Sequence, residues 1–287
     1  MTINNLPVEL WLIIFSFAKA FKFSSNDLAA LCRVCTYFHH AVVDSLYESI
    51  TVDNSDVCTT LAECPHLAEK VKSFISTYPA IMVYDGPEVH LDNLTLALKN
   101  MTCLSTLKLI HSKKCYSSVL RYCDAKLHVF HCTYDTDFQF LSFLNRQDSI
   151  RDLVITGDAP RYDVYLASER MRLPLFLPTS LPHLTEVSAE PLFLNVLIPG
   201  RPVHTVRFKG QHAHTSSGSW ELNRIVAHST SIRNLGLDLT VWLPVFQISH
   251  PSIPKHVEEI TLTGFATQNL NVYVIELLND GMGNLFT

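Results

Sequence analysis

The sequence predicts two classes in tandem, α followed by α/β. Residues 1–50 read as a small module of three helices, and residues 51–287 as a repeat solenoid with one parallel sheet and helices outside it. Three observations predict this. Apolar residues in the first fifty positions fall at helical spacing. A short motif, apolar-x-x-apolar-x-apolar, recurs through the remainder. Segments of helical period lie between its copies, which is the signature of stacked supersecondary units.

The first helix starts in MTINNLPVELWLIIFSFAKAF. Asn5 suits an N-cap, Pro7 the first turn, and Glu9 the positive end of the helix dipole. Stepping about 100° per residue puts Leu10, Ile13, Ile14 and Phe17 on one face, with Trp11, Phe15 and Ala18 on a neighbouring one. The two faces together span about twice the ~100° stripe of an ordinary surface helix. Such a helix must bury both. One face enters its own core, and the other needs a second layer of the same chain or a partner protein.

The second helix follows in SSNDLAALCRVC, where Ser24 and Asp27 have the spacing of a capping box and Leu28, Leu31, Cys32 and Cys35 keep helical period. Cys32 and Cys35 read here as late positions of this apolar helix. The third, in TYFHHAVVDSLYES, repeats Phe38, Val42 and Leu46 four apart. The run SITV then reads as a strand, because it sets β-branched residues at alternate positions.

These residues carry a resemblance. Leu6-Pro7-x-Glu9-Leu10, Ile14-Phe15-Ser16-Phe17, Asp27-Leu28-x-x-Leu31-x-x-Val34-Cys35-x-x-Phe38 and Leu46-Tyr47 together resemble the F-box, in the variant common in large fungal families. Phe38 stands where many F-boxes have Trp, and the stretch between the first two helices, residues 18–26, is longer and more basic than usual. The resemblance implies docking to the Skp-type adaptor of a cullin-based ubiquitin ligase. Carried over position by position, it nominates Leu6, Pro7, Leu10, Ile14, Leu28, Val34 and Cys35 as adaptor-binding, with Glu9 orienting the helix start. A partner would account for the second apolar face.

From residue 51 the recurring motif is clearest at Leu104/Leu107/Leu109, Ile150/Leu153/Ile155, Val203/Val206/Phe208, Ile232/Leu235/Leu237 and Val257/Ile260/Leu262. Weaker copies are LAEKVKSFIS, KLHVFHC and LPHLTEV. Successive copies lie about 19 to 34 residues apart. Helical segments precede several copies: LDNLTLALKNM, DTDFQFLSFLNRQ and SWELNRIVAHS. The pattern resembles a degenerate leucine-rich repeat without the regular Asn or Cys of the standard motif. It implies parallel strands stacked in one sheet, with the helical module capping one end. The competing reading is an ordinary α/β domain with crossover helices, but that would show longer apolar strands and glycine-rich turns. Only 9 glycines occur, and neither GxGxxG nor GxxxxGK[ST] is present, so nothing points to nucleotide binding. The fold expected is thus an N-terminal three-helix F-box joined to a leucine-rich-repeat-like solenoid. Two long segments break its rhythm, Ala159 to Pro182 and Gly210 to Ser219, and loops of this kind are common binding elements.

Reactive chemistry finds little support. Cys32 and Cys35 have the spacing of a zinc half-site or a redox pair. Zinc needs a second pair, and a redox pair wants its first cysteine at a helix N-terminus. Their default role is that of small hydrophobes. Cys123, His128, His131 and Cys132, with Cys115 nearby, form a second cluster, but strand alternation turns His128 and Phe130 one way and Val129 and His131 the other. His212 and His214 lack a third ligand nearby. No nucleophile elbow, HExxH or papain-like cysteine context appears. No metal, cofactor or catalytic residue is therefore expected.

Composition narrows the partners. Lys+Arg number 22 against Asp+Glu 27, with no basic block, so nucleic acid is not an expected partner. No uncharged apolar run approaches the ~18 residues of a membrane span, and the N-terminus lacks the basic region of a secretory signal. An intracellular setting, cytoplasmic or nuclear, is expected, with thiols free. The functional expectation is a non-catalytic substrate receptor of a Skp–cullin–F-box ubiquitin ligase, contacting cullin through the adaptor and an unidentified protein target through the repeats. The alternative is a non-ligase scaffold of the same architecture.

Overall fold

The computed structural model describes residues 7, 10–11, 13–14, 24–53, 55–77, 89–110, 117–133, 138–156, 179–209, 231–238 and 257–263. Among the described residues, nine short strands form one sheet: β1 (Ser49–Val52), β2 (Ser73–Ser76), β3 (Thr106–Leu109), β4 (Val129–Cys132), β5 (Asp152–Ile155), β6 (Glu186–Ala189), β7 (Thr205–Phe208), β8 (Asn234–Asp238) and β9 (Glu259–Thr263). They lie side by side in chain order, each parallel to the next. A doubly wound sheet reverses its strand order at a switch point. This one never does, so it is a solenoid. Every strand motif read from the sequence, strong or weak, coincides with one of these strands.

The register explains why four-residue strands suffice. Phe74, Leu107, Phe130, Leu153, Val187, Val206 and Leu235 occupy equivalent positions on consecutive strands and stack as one buried column. A second buried column runs through Val52, Ser76, Leu109, Cys132 and Ile155 and again through Ala189 and Phe208, with Ser76 as a polar member. The motif residue that precedes each strand, for example Leu104, Leu127, Ile150 or Leu184, is buried beneath them. Each short strand therefore stacks its apolar side chains on both neighbours, and a single repeat need not form a core alone.

Main-chain bonds lock this stacking. Where the chain enters a strand, two successive N–H groups donate to one carbonyl of the preceding repeat. Arg151 and Asp152 both donate to the His128 oxygen at 2.9 and 3.1 Å, and Thr185 and Glu186 to that of Arg151 at 2.9 and 2.8 Å. Where the chain leaves, hydroxyls repeat the link: Thr77 donates to the Val52 carbonyl at 3.3 Å and Thr133 to that of Leu109 at 3.1 Å.

Helices cover the sheet's apolar side: α3 (Asp56–Glu63), α4 (Pro65–Ala68), α5 (Val89–Asn100), a 3-10 turn (Ser117–Leu120), α6 (Phe138–Arg146) and α7 (Pro191–Leu197). They follow α1 (Ser25–Cys32) and α2 (Thr36–Glu48) of the N-terminal module. α5 buries Leu94, Ala97 and Leu98, three or four apart, and Asn100 at its end donates to the Leu61 and Ala62 carbonyls at 3.3 and 3.1 Å. α6 buries Phe140, Phe143 and Leu144, with the Phe143 ring edge-on to Phe130 at 5.1 Å. The helices expected at LDNLTLALKNM and DTDFQFLSFLNRQ are α5 and α6. The one expected at SWELNRIVAHS lies outside the described residues. α3, α4 and α7 were not apparent in the sequence. α7 is one apolar run, PLFLNVL, too short to display a period.

α2 passes directly into β1 at Ser49. The boundary expected between residues 50 and 51 falls inside this strand. Lys72 crosses the junction twice, its N–H donating to the Glu48 carbonyl at 2.9 Å and its Nζ lying 3.1 Å from Glu48 Oε1. Lys70 pairs with Asp44 beside it.

Candidate docking surface

The module's second helix is fixed at its start. Ser24 Oγ accepts from the Asp27 N–H at 3.3 Å, while Asp27 Oδ2 accepts from the Ser24 N–H at 3.0 Å and its hydroxyl at 2.7 Å. This is the capping box expected from the spacing. The Ser24 hydroxyl and N–H hold the Asp27 carboxyl below its ordinary range, because both stabilise the charged form.

The structure revises the place of the second cysteine. α1 stops at Cys32, Arg33 and Val34 form a turn, and Cys35 is the N-cap of α2 in extended conformation. Its Sγ accepts from the Phe38 N–H at 3.5 Å. Helical period continues across the turn only by coincidence, so periodicity alone carries the first of these helices three residues past its end. Cys32 and Cys35 thus stand at the end of one helix and before the start of the next.

Phe38, Val42 and Val43 bury one side of α2. The Trp11 ring meets Phe38 edge-on, 4.6 Å between centroids, which sends this face of the first helix inward. Leu10 and Trp11 both donate to the Pro7 carbonyl, at 3.1 and 3.3 Å, so the turn begins at that proline. The neighbouring face remains outside: Leu10 is 44%, Ile13 49% and Ile14 44% exposed, and Val34 in the turn is 61% exposed. Pro7 and Cys35 are also exposed, and Leu28 is half-buried.

Six of the seven nominated residues are therefore at or near the module's surface, and Leu6 lies outside the described residues. Ile13 was not nominated although it shares this face. Its signal was its place one helical step from Leu10 and Ile14. Phe15, Phe17 and Ala18 lie outside the described residues. Exposed branched aliphatic side chains in this number on one small module suit docking to another apolar surface, and carry no bond-making chemistry.

The reactive-site candidates elsewhere are dispersed. Val129 and His131 face away from the core while Phe130 and Cys132 are buried, as alternation requires. His128 lies just before the strand and is exposed rather than sharing the face of Phe130. His131 Nε2 lies 3.0 Å from Asp152 Oδ2 on the next strand. Burial pushes the thiols of Cys58 and Cys123 up to about 11, so they stay protonated and inert near neutrality. Among the described residues no three His, Cys, Asp or Glu side chains are grouped to hold a metal ion. Cys115, His212 and His214 are not among them, nor are most of the 159–182 loop and all of 210–219. No described helix is long and apolar enough to cross a membrane.

Comparison with known proteins agrees with the N-terminal reading. Residues 3–53 match the family model described as F-box-like, so the chain carries an F-box-like domain there. No curated protein matches the chain. Among solved structures, the chain is similar to the leucine-rich repeat-containing protein LegL7 from Legionella pneumophila, with 12% identity, a TM-score of 0.44 and 88% of each chain covered. The repeat architecture itself rests on the strand order and register described above.

Proposed function

We propose, from the F-box-like domain at one end of a leucine-rich-repeat-like solenoid, that this chain is the substrate-recognition subunit of a Skp–cullin–F-box ubiquitin ligase. Leu6, Pro7, Leu10, Ile14, Leu28, Val34 and Cys35 dock the adaptor, Ile13 joins them, and residues 51–287 present a protein target. The chain performs no bond chemistry. It raises the local concentration of target lysines near the conjugating enzyme that cullin recruits. The observation that carries this reading is the exposed Leu10–Ile13–Ile14 face beside an inward-packed Trp11, within the segment that matches the F-box-like family.

The test is calorimetric titration of the full chain with purified Skp adaptor. Leu10→Asp combined with Ile14→Asp is expected to abolish binding, because two buried unpaired charges each cost several kcal/mol at an apolar interface. Circular dichroism confirms that the variant stays folded. Absence of binding by the parent chain, or undiminished binding by a folded double variant, defeats the proposal. Co-purification of cullin with the bound adaptor separates a ligase subunit from a scaffold that engages the adaptor alone.

A further inference from the structure

Each strand of the sheet is entered through a residue that follows the buried motif position, and along the central repeats these residues and their neighbours are repeatedly basic. His128 and Arg151 enter β4 and β5, and His204 enters β7. Lys126 and His183 stand two residues earlier than His128 and Thr185, the equivalent places in their own repeats. All but the half-buried His204 are exposed. A chain with five more acidic than basic residues thus gathers cationic and imidazole side chains along one rim of its solenoid.

Two features mark this rim as available. Its backbone is already committed, because the His128 and Arg151 carbonyls each accept two N–H donors from the next repeat. At Ser105 and Thr185 the side chain also turns back, donating to the Lys72 and Arg151 carbonyls at 3.1 Å each. Neither Lys126 nor Arg151 forms an ion pair with a described residue, whereas His204 Nδ1 lies 3.0 Å from Thr205 Oγ1. The rim also already favours an anion. The Asp148 carboxyl is held below its ordinary range, first by the Ser149 hydroxyl at 2.7 Å and further by the charges of Lys126 and His183.

We propose that this strand-entry rim, formed by Lys126, His128, Arg151, His183 and His204, docks an acidic segment of the target protein. The assignment deepens the receptor reading and rests on it for the word target. The rim has the size of a short peptide. Strands lie ~4.8 Å apart, so β4 to β7 covers about 14 Å, the length of roughly four extended residues. Nucleic acid fits less well. The permanent cations of the rim are two, Lys126 and Arg151, with the Asp148 carboxylate among them, whereas nucleic-acid binding draws on many Lys and Arg contacts along a continuous run of phosphates.

The experiment measures fluorescence anisotropy of a labelled octa-glutamate peptide on the full chain without adaptor. Octa-glutamine and an eight-nucleotide oligothymidylate serve as comparison probes. Binding is expected for octa-glutamate alone, weakening as salt rises. Lys126→Glu with Arg151→Glu should weaken it about tenfold or more, four charge units being reversed at exposed sites whose backbone bonds stay intact. Lys108→Glu, on the open face of β3, should leave it within about twofold. No octa-glutamate binding, equal binding by the double variant, equal weakening by Lys108→Glu, or preference for the oligonucleotide would each overturn the assignment. Adaptor titration of the same double variant stays unchanged on this proposal, so failure of the rim and failure of the docking surface read out separately.

Discussion

Cys35 shows how one residue's local geometry changes the meaning of a substitution. As the N-cap of α2 it accepts the Phe38 N–H, and it is exposed beside Val34. Aspartate is among the best N-cap residues, since its carboxylate accepts the same N–H and favours the helix dipole. Cys35→Asp should therefore hold or raise the melting temperature while placing a charge on the apolar surface. Cys35→Ala removes a weak sulfur cap, for a loss within the roughly 0.5–2 kcal/mol of cap deletions, and leaves the surface apolar. Adaptor titration with parallel melting curves should rank the aspartate variant as the more stable protein and the poorer binder, by at least about tenfold relative to alanine. A stable aspartate variant with unchanged affinity would remove Cys35 from the docking surface.

At the level of elements, the strands were legible and several helices were not, for a physical reason. A strand here is set by three buried positions in a fixed six-residue pattern. That pattern survives even where the copy is weak, as at Val71/Phe74 or Leu127/Phe130. The helices only need to cover the sheet, so α3 does so with Cys58 and Leu61 and α4 with Ala68, too few residues to show a period. The exposed apolar face of the first helix was legible for the same reason as the strands, since two apolar faces on that helix are visible in the order of residues alone. The Cys35 cap was not, because a two-residue turn preserves helical phase. The basic rim escaped because its members in successive repeats lie 21 to 32 residues apart and come together only through strand register. Register also makes Gly236 necessary on β8. A Cβ there would lie 2.8 Å from Arg207 Cγ and 3.2 Å from its Cβ on β7. These are stem atoms, and Arg207 Nη1 also lies 3.3 Å from Glu186 Oε2 on the neighbouring strand β6. Gly236→Val should destabilise by about 1–3 kcal/mol. Adding Arg207→Ala removes the nearest clash and should recover part of that loss, giving a coupling of about 0.5 kcal/mol or more in a denaturant double-mutant cycle. Additive effects would show that the strands separate easily at this site.

For the whole molecule, the junction decides whether the docking module and the repeats behave as one body. α2 enters β1 without an intervening turn, Ile50 packs against the repeat core, and Lys70 and Lys72 of the next unit bind Asp44 and Glu48 of α2. A solenoid transmits stability through nearest-neighbour interfaces, so loss at the first repeat interface should reach the module that abuts it. Phe74 is the test position. It is fully buried in β2, paired in register with Ile50 of β1 on one side and Leu107 of β3 on the other. Phe74→Ala should cost about 3–5 kcal/mol through lost burial and the cavity it leaves. Trp11, packed on Phe38 well away from that cavity in the chain, reports the docking module by fluorescence once Trp220 and Trp242 are replaced by Phe. If the junction couples the two parts, Phe74→Ala lowers the Trp11 melting midpoint by several degrees, together with the loss of far-ultraviolet circular dichroism. A Trp11 transition that stays in place while the repeat signal moves would mean a docking module that folds and melts independently. A coupled transition means instead that a target held on the repeats keeps a fixed orientation to whatever binds the Leu10–Ile14 face, because no flexible segment separates α2 from the sheet.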